Sequence, residues 1–117
     1  MKSVLLVDDE VDTVEVLDML LRLEGFDTLK AYDGAEGLVV AESETPDVIV
    51  TDLMMPHMDG LEMARQLRSG EATRRIPVIL SSAGPRPQAD DDPPYVAFLQ
   101  KPVDVQALLR VLEQVLR

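Results

Sequence analysis

Two adjacent carboxylates, Asp8 and Asp9, follow directly on the apolar run Val4–Val7, and a third, Asp52, closes the run "VIVTD". Two hydroxyls, Ser81 and Ser82, end "PVILSS", and a single ammonium, Lys101, follows "VAFLQ". If each run is a strand, four segments far apart in the chain carry polar groups at their ends. Brought together, three carboxylates and one ammonium leave two uncompensated negative charges. Like charges a few ångströms apart take up protons or recruit a cation. Oxygen donors with no His or Cys nearby favour a hard divalent ion, Mg2+ or Mn2+. A carboxylate beside such an ion is a nucleophile for a phosphoryl group. The ion and an ammonium would offset the charge on the transferring oxygens, and a hydroxyl from a neighbouring strand would hydrogen-bond the attached group.

The elements that must position these groups alternate along the chain. Ser3–Val7, Val48–Asp52 and Pro77–Ser81 are short, apolar or β-branched runs that suit strands buried on both faces. Asp27–Tyr32 is a more polar strand, fit for a sheet edge, and Val96–Gln100 is a fifth. Val16, Leu17, Leu20, Leu21 and Leu23 lie on the broad apolar side of a helix ending near Gly25. Asp33 and Asp59, each with Glu three residues later, open a second and a third helix, the latter running to about Gly70. Asp104 caps a last helix whose Val105, Leu108, Leu109, Leu112, Val115 and Leu116 form an apolar stripe. Strand–helix alternation predicts an α/β fold: a parallel sheet with helices on both faces and right-handed crossovers, in one domain spanning 1–117. In such a sheet all the strands' carboxyl ends emerge along one edge, where ligands bind.

The fourth crossover breaks the rhythm. "AGPRPQADDDPPY" (residues 83–95) holds Pro85, Pro87, Pro93 and Pro94. Proline inside a helix costs about 3 kcal/mol, so a loop or a single turn is expected there, with Asp90–Asp92 as a solvated run. Of the other candidates, the lone His57 reads as an ordinary loop residue.

The bulk numbers narrow the function classes. Eleven basic against 22 acidic residues give a net charge of −11, which argues against direct contact with nucleic acid or an anionic membrane surface. With no cysteine, disulfide, zinc-thiolate and thiol chemistry are excluded. The start "MKSVLLVDDE" is too short in apolar residues for a signal peptide, and no run is long enough to span a bilayer. A cytoplasmic location is the expectation.

The chain resembles, over essentially its whole length, the receiver domain of two-component response regulators. The matching residues are "VDDE", "TDLMMPHMDG", "PVILSSA" and "FLQKP" in that order. The resemblance implies a flavodoxin-like, doubly wound five-stranded parallel sheet of order 2-1-3-4-5. It implies Asp52 as phosphoacceptor, Asp9 as a direct Mg2+ ligand, Asp8 as a largely water-mediated one, and the backbone carbonyl of Met54 completing the protein ligands with Asp52. It selects Ser82 over Ser81 as the hydroxyl contact, places Lys101 against the phosphoryl group before an often-cis Pro102, and sets Phe98 at the aromatic switch position. The phosphoryl would come from a sensor histidine kinase or phosphotransfer protein, and the signal would pass to a downstream protein target. Such a domain is not a conventional enzyme, although it catalyses its own phosphorylation and, in some members, dephosphorylation. The chain ends straight after the last helix, so no DNA-binding or catalytic output module is expected.

Two features depart from the family pattern. The stretch between Ser82 and Lys101 is short by roughly one helical turn, so the fourth helix is expected to be missing or stunted. Met54 stands where relatives often carry a polar residue. The rival readings are a pseudo-receiver that binds partners without phosphorylation, a flavodoxin-type electron carrier, and a haloacid-dehalogenase-like phosphatase. The acidic first loop and the scarcity of aromatics count against the electron carrier. Met54, in the place of a second catalytic Asp, counts against the phosphatase.

Overall fold

The computed structural model describes residues 1–88 and 91–117. Its elements follow in the order β1 (Ser3–Val7), α1 (Val11–Leu23), β2 (Asp27–Ala31), α2 (Gly34–Glu44), β3 (Val48–Asp52), α3 (Gly60–Ser69), β4 (Val78–Ser82), β5 (Ala97–Gln100) and α4 (Val105–Val115). The strands pair in parallel in the order β2-β1-β3-β4-β5. The register sets Leu6 beside Val50, Asp52 beside Ser81 and Ser81 beside Leu99. β1, β3 and β4 are buried along almost their whole length, as their uninterrupted apolar composition requires.

The pleat divides the core. Val4, Leu6, Val50 and Ile79 face α1 and α4, where Val14, Leu21, Leu108 and Leu112 meet them. Leu5, Val7, Ile49 and Leu80 face α2 and α3, against Ala41, Met63 and Leu67. Each fully buried Leu or Ile adds about 1.5–3 kcal/mol of burial free energy. Three helices start on aspartate caps: Asp33 accepts from the Glu36 N–H, Asp59 from the Glu62 N–H and Asp104 from the Gln106 N–H. α1 has no side-chain cap at Glu10.

The structure corrects several boundaries. β2 ends at Ala31, β4 runs one residue further to include Ser82, and β5 begins at Ala97. Only part of the apolar side expected for α1 meets the sheet. Val14 and Leu21 are buried and Leu17 packs beside them, whereas Val16, Met19 and Leu23 are exposed. A sequence stripe five residues broad exceeds what one strand pair covers.

Among the described residues, the crossover from β4 to β5 contains no helix. Its structural substitutes are side chains. Tyr95 is buried in the core on the α2/α3 face, and Arg86 lies 5.7 Å from its ring centroid. Arg68 of α3 donates to the carbonyls of Asp92 and Pro93 at 2.7 and 2.6 Å. Asp91 and Asp92 are exposed, as expected of a solvated run; Asp90 lies outside the described residues. Among those described, no helix is long and apolar enough to cross a membrane.

Candidate phosphoacceptor site

The carboxyl ends of β1, β3 and β5 meet at one edge of the sheet, and the expected acidic groups converge there. Asp8, Asp9 and Asp52 each present a carboxylate oxygen, and these three atoms lie within 4.8 Å of one another. Asp8 and Asp52 are buried and Asp9 is exposed. Buried acids of this kind are tolerated only with partners. Lys101 Nζ supplies one, at 2.8 Å from Asp8 Oδ2 and 3.3 Å from Asp52 Oδ1. The other oxygen of Asp8 accepts the Glu10 N–H at 2.9 Å, which fixes the loop leaving β1. The Lys101–Pro102 peptide is cis, as the resemblance to receiver domains implied.

Electrostatics distinguish the members of this cluster. Burial, and then the neighbouring Asp8 charge, push the Asp52 carboxyl above its ordinary value, and Lys101 only partly counters them. For Lys101 burial works against the charged form, but the bond and charge of Asp8 and those of Asp52 prevail, so its pKa is raised. The site therefore holds a firmly protonated lysine and an acid short of positive charge. A small hard cation fits this donor set: three oxygens of one chemical type, no competing soft ligand, and all three close enough to converge on one ion.

The remaining candidates take other positions. Ser82 is fully buried at the end of β4, and its Oγ accepts the Gly84 N–H at 3.0 Å; its bond among the described residues is to this loop, not to Asp52. Ser81 points to the opposite face by strand alternation, and its hydroxyl donates weakly, at 3.5 Å, to the Thr51 carbonyl. Phe98 is half-buried and packs against the cluster that includes Met55, Leu80 and Tyr95. Met54 is an exposed side chain in the loop after β3, and its backbone amide slightly favours the charged form of the Asp52 carboxyl. His57, in that same loop, is exposed with φ of 68°.

Three further participants emerge only from the structure. Glu10 brings a fourth carboxylate to within 3.9 Å of Lys101 Nζ; its place straight after the paired acids was the available signal. Gly60 donates its N–H to the Leu53 carbonyl, and a Cβ there would lie 2.3 Å from the Asp52 carbonyl oxygen. It has the look of a helix-start glycine, but its lack of a side chain lets α3 begin against the strand that carries Asp52. Gln100 donates to the Ala83 carbonyl at 2.8 Å, tying the loop after Ser82 to β5, and nothing local in the sequence announces that bond.

Comparison with known proteins agrees with this geometry. The family model described as the response regulator receiver domain matches residues 4–113. Protein PilH of Pseudomonas aeruginosa is 34% identical over 125 aligned positions, covering 99% of this chain and 98% of PilH. The alkaline phosphatase synthesis transcriptional regulatory protein PhoP of Bacillus subtilis is 42% identical over 70% of this chain, which there spans only 33% of the relative. The chemotaxis protein CheY4 of Vibrio cholerae superposes with a TM-score of 0.88 at 28% identity, covering 98% of both chains. The receiver domain of the hybrid histidine kinase CckA gives 0.83 at 32% identity, covering 98% of this chain and 99% of that one. With the strand order, the converging acids and the family match in agreement, this chain belongs to the response regulator receiver domains of two-component systems.

Proposed function

We propose that this receiver accepts a phosphoryl group on the Asp52 carboxylate from a phosphohistidine of a sensor kinase or phosphotransfer protein. The observation that carries the reading is the meeting of three carboxylate oxygens within 4.8 Å beside the Lys101 ammonium. In the transfer, an Asp52 oxygen attacks phosphorus and the P–N bond to the donor imidazole breaks. Its electron pair stays on the imidazole nitrogen, which is then protonated. Lys101 lies where it can follow the charge from carboxylate to phosphoryl oxygen. Asp8, Asp9, Asp52 and the Met54 carbonyl would hold Mg2+, or Mn2+ in its place. A bound Mg2+ supplies the positive charge that keeps Asp52 ionised and offsets the phosphoryl oxygens.

The Ser82 hydroxyl can donate to the new phosphoryl group, and its present bond to Gly84 connects that shift to the loop toward β5. Phe98, packed on the same face, is the side chain whose position would report it. A local charge change thus biases two arrangements of one surface that a downstream protein reads. Partnership with a cytoplasmic kinase domain would put the chain in the cytoplasm, with no direct nucleic-acid or membrane contact.

One observation favours a second reading, a pseudo-receiver that binds its partner without phosphorylation: the fourth crossover has no helix among its described residues. Intact-mass measurement after treatment with a small acyl-phosphate donor and Mg2+ separates the two. A single added phosphoryl group on the native chain, absent from Asp52→Asn, is the expected result. Equal labelling of both proteins refutes Asp52, and no labelling of either supports the pseudo-receiver.

A further inference from the structure

At the edge of the sheet opposite the acidic site, the end of α3, the start of β4 and the segment entering β5 border a partly open cavity of about 160 Å³. Its walls include the buried side chains of Leu67, Val78 and Tyr95. Arg68, Arg74 and Arg75 also line it, and no lining residue is acidic, in a chain with 22 Asp and Glu. Arg68 is committed to the Asp92 carboxylate, at 3.3 Å, and to the Asp92 and Pro93 carbonyls, so it builds one wall. Arg22, Lys30 and Lys101 likewise have ion-pair partners. Arg74 and Arg75 are exposed and have no ion pair among the described residues.

We propose that this cavity is a binding site for a small organic anion with a compact apolar body, which seats its hydrocarbon part against Leu67, Val78 and Tyr95 and its carboxylate against Arg74 and Arg75. The size supports this class of ligand. An apolar protein cavity of about 150 Å³ holds one benzene molecule, so a single ring or a short branched chain fills the space. Guanidinium groups prefer planar, two-oxygen anions such as carboxylates. The segment bridged by Arg68 leads directly into β5, so an occupant would tie the start of β4 to the strand that precedes Lys101. The site is independent of Asp52 chemistry and stands or falls separately from it.

The test is heteronuclear NMR titration of the full chain with benzoate, alongside benzyl alcohol as the neutral isostere and inorganic phosphate as the anion without an apolar body. Benzoate is expected to shift the backbone amides of Ile76, Val78, Tyr95, Val96 and Ala97 saturably. Benzyl alcohol, phosphate, and benzoate on the double variant Arg74→Gln/Arg75→Gln are each expected to bind at least about tenfold more weakly. Both arginines are exposed, so the variant should keep the native spectrum elsewhere, and Arg110→Gln serves as the distant control. Equal response to benzyl alcohol or to phosphate, shifts centred elsewhere, no saturable response to benzoate, or undiminished benzoate binding by the double variant would each overturn the proposal.

Discussion

Removing the charge of Asp52 should stabilise the metal-free protein, although it deletes a buried, hydrogen-bonded acid. The balance follows from three distances. At an effective dielectric constant of about 20, the Lys101 ammonium at 3.3 Å attracts Asp52 by about 5 kcal/mol. Asp8 and Asp9 each have an oxygen no further than 4.8 Å away, a separation at which a unit charge repels it by about 3.5 kcal/mol, and less for the exposed Asp9. The two repulsions together offset the attraction, exceeding it by up to about 2 kcal/mol, and desolvation of the buried carboxylate, the largest cause of its raised pKa, decides the sign. Lys101 keeps its 2.8 Å bond to Asp8 in the variant, so no buried cation is orphaned. In EDTA at neutral pH, Asp52→Asn should gain about 1–2 kcal/mol in urea unfolding, once screening by salt and water is allowed for.

Two further conditions sharpen that experiment. The Asp52 carboxyl titrates above its ordinary value in the folded chain, so the native state binds this proton before the unfolded state does. The wild type is accordingly relieved as pH falls through that raised range, and the advantage of Asn should shrink there. In millimolar Mg2+ the order should reverse if Asp52 is a ligand as proposed, because the wild type would then gain the binding free energy of the ion and the variant would lack that ligand. If Asp52→Asn is as stable as the wild type or less so in EDTA at neutral pH, attraction to Lys101 outweighs the two repulsions and the charge balance is refuted.

Two other predictions rest on separate features. Gly60→Ala should cost about 2–3 kcal/mol in chemical denaturation, because its Cβ would meet the Asp52 backbone oxygen at 2.3 Å and neither element can yield without moving the site; a loss under 0.5 kcal/mol, about the scale of a neutral surface change, would show that α3 shifts freely. Arg68→Gln should speed amide hydrogen exchange at Tyr95 and Val96 by about tenfold while leaving β1 and β3 unchanged, since it removes the bonds to the Asp92 and Pro93 carbonyls; unchanged exchange there would mean that Tyr95 burial alone holds the crossover.

The parts of this molecule legible in its sequence are those governed by local chemistry. Strand burial was written in the β-branched runs of β1, β3 and β4, and the helix starts in Asp33, Asp59 and Asp104. Four prolines foretold a crossover with no helix among its described residues. Convergence of Asp8, Asp9, Asp52 and Lys101 followed because a parallel sheet sends every strand's carboxyl end to one edge. What stayed hidden depends on pairs distant in sequence. That Arg68 would bond backbone 24 and 25 residues away has no local signature, nor has the hold of Gln100 on Ala83. The half-exposed face of α1 was hidden for another reason: periodicity reports which side is apolar, not how much of it a sheet of given width can cover.

The same distinction explains how a receiver can keep its acidic site when the described residues of its fourth crossover form no helix. Ser82 and Lys101 need only be fixed at the ends of β4 and β5, and those ends are set by strand pairing, with Lys101 N–H bonded to the Ser82 carbonyl at 2.8 Å. The crossover between them has only to close the core and return the chain to the sheet. Tyr95 performs the first task from within the crossover, and Arg68 anchors the return from α3. The acidic site is therefore insulated from the deletion, whereas the surface that would carry its signal outward is not. A change of partner, rather than a loss of phosphoryl chemistry, is the consequence to expect from an altered fourth crossover.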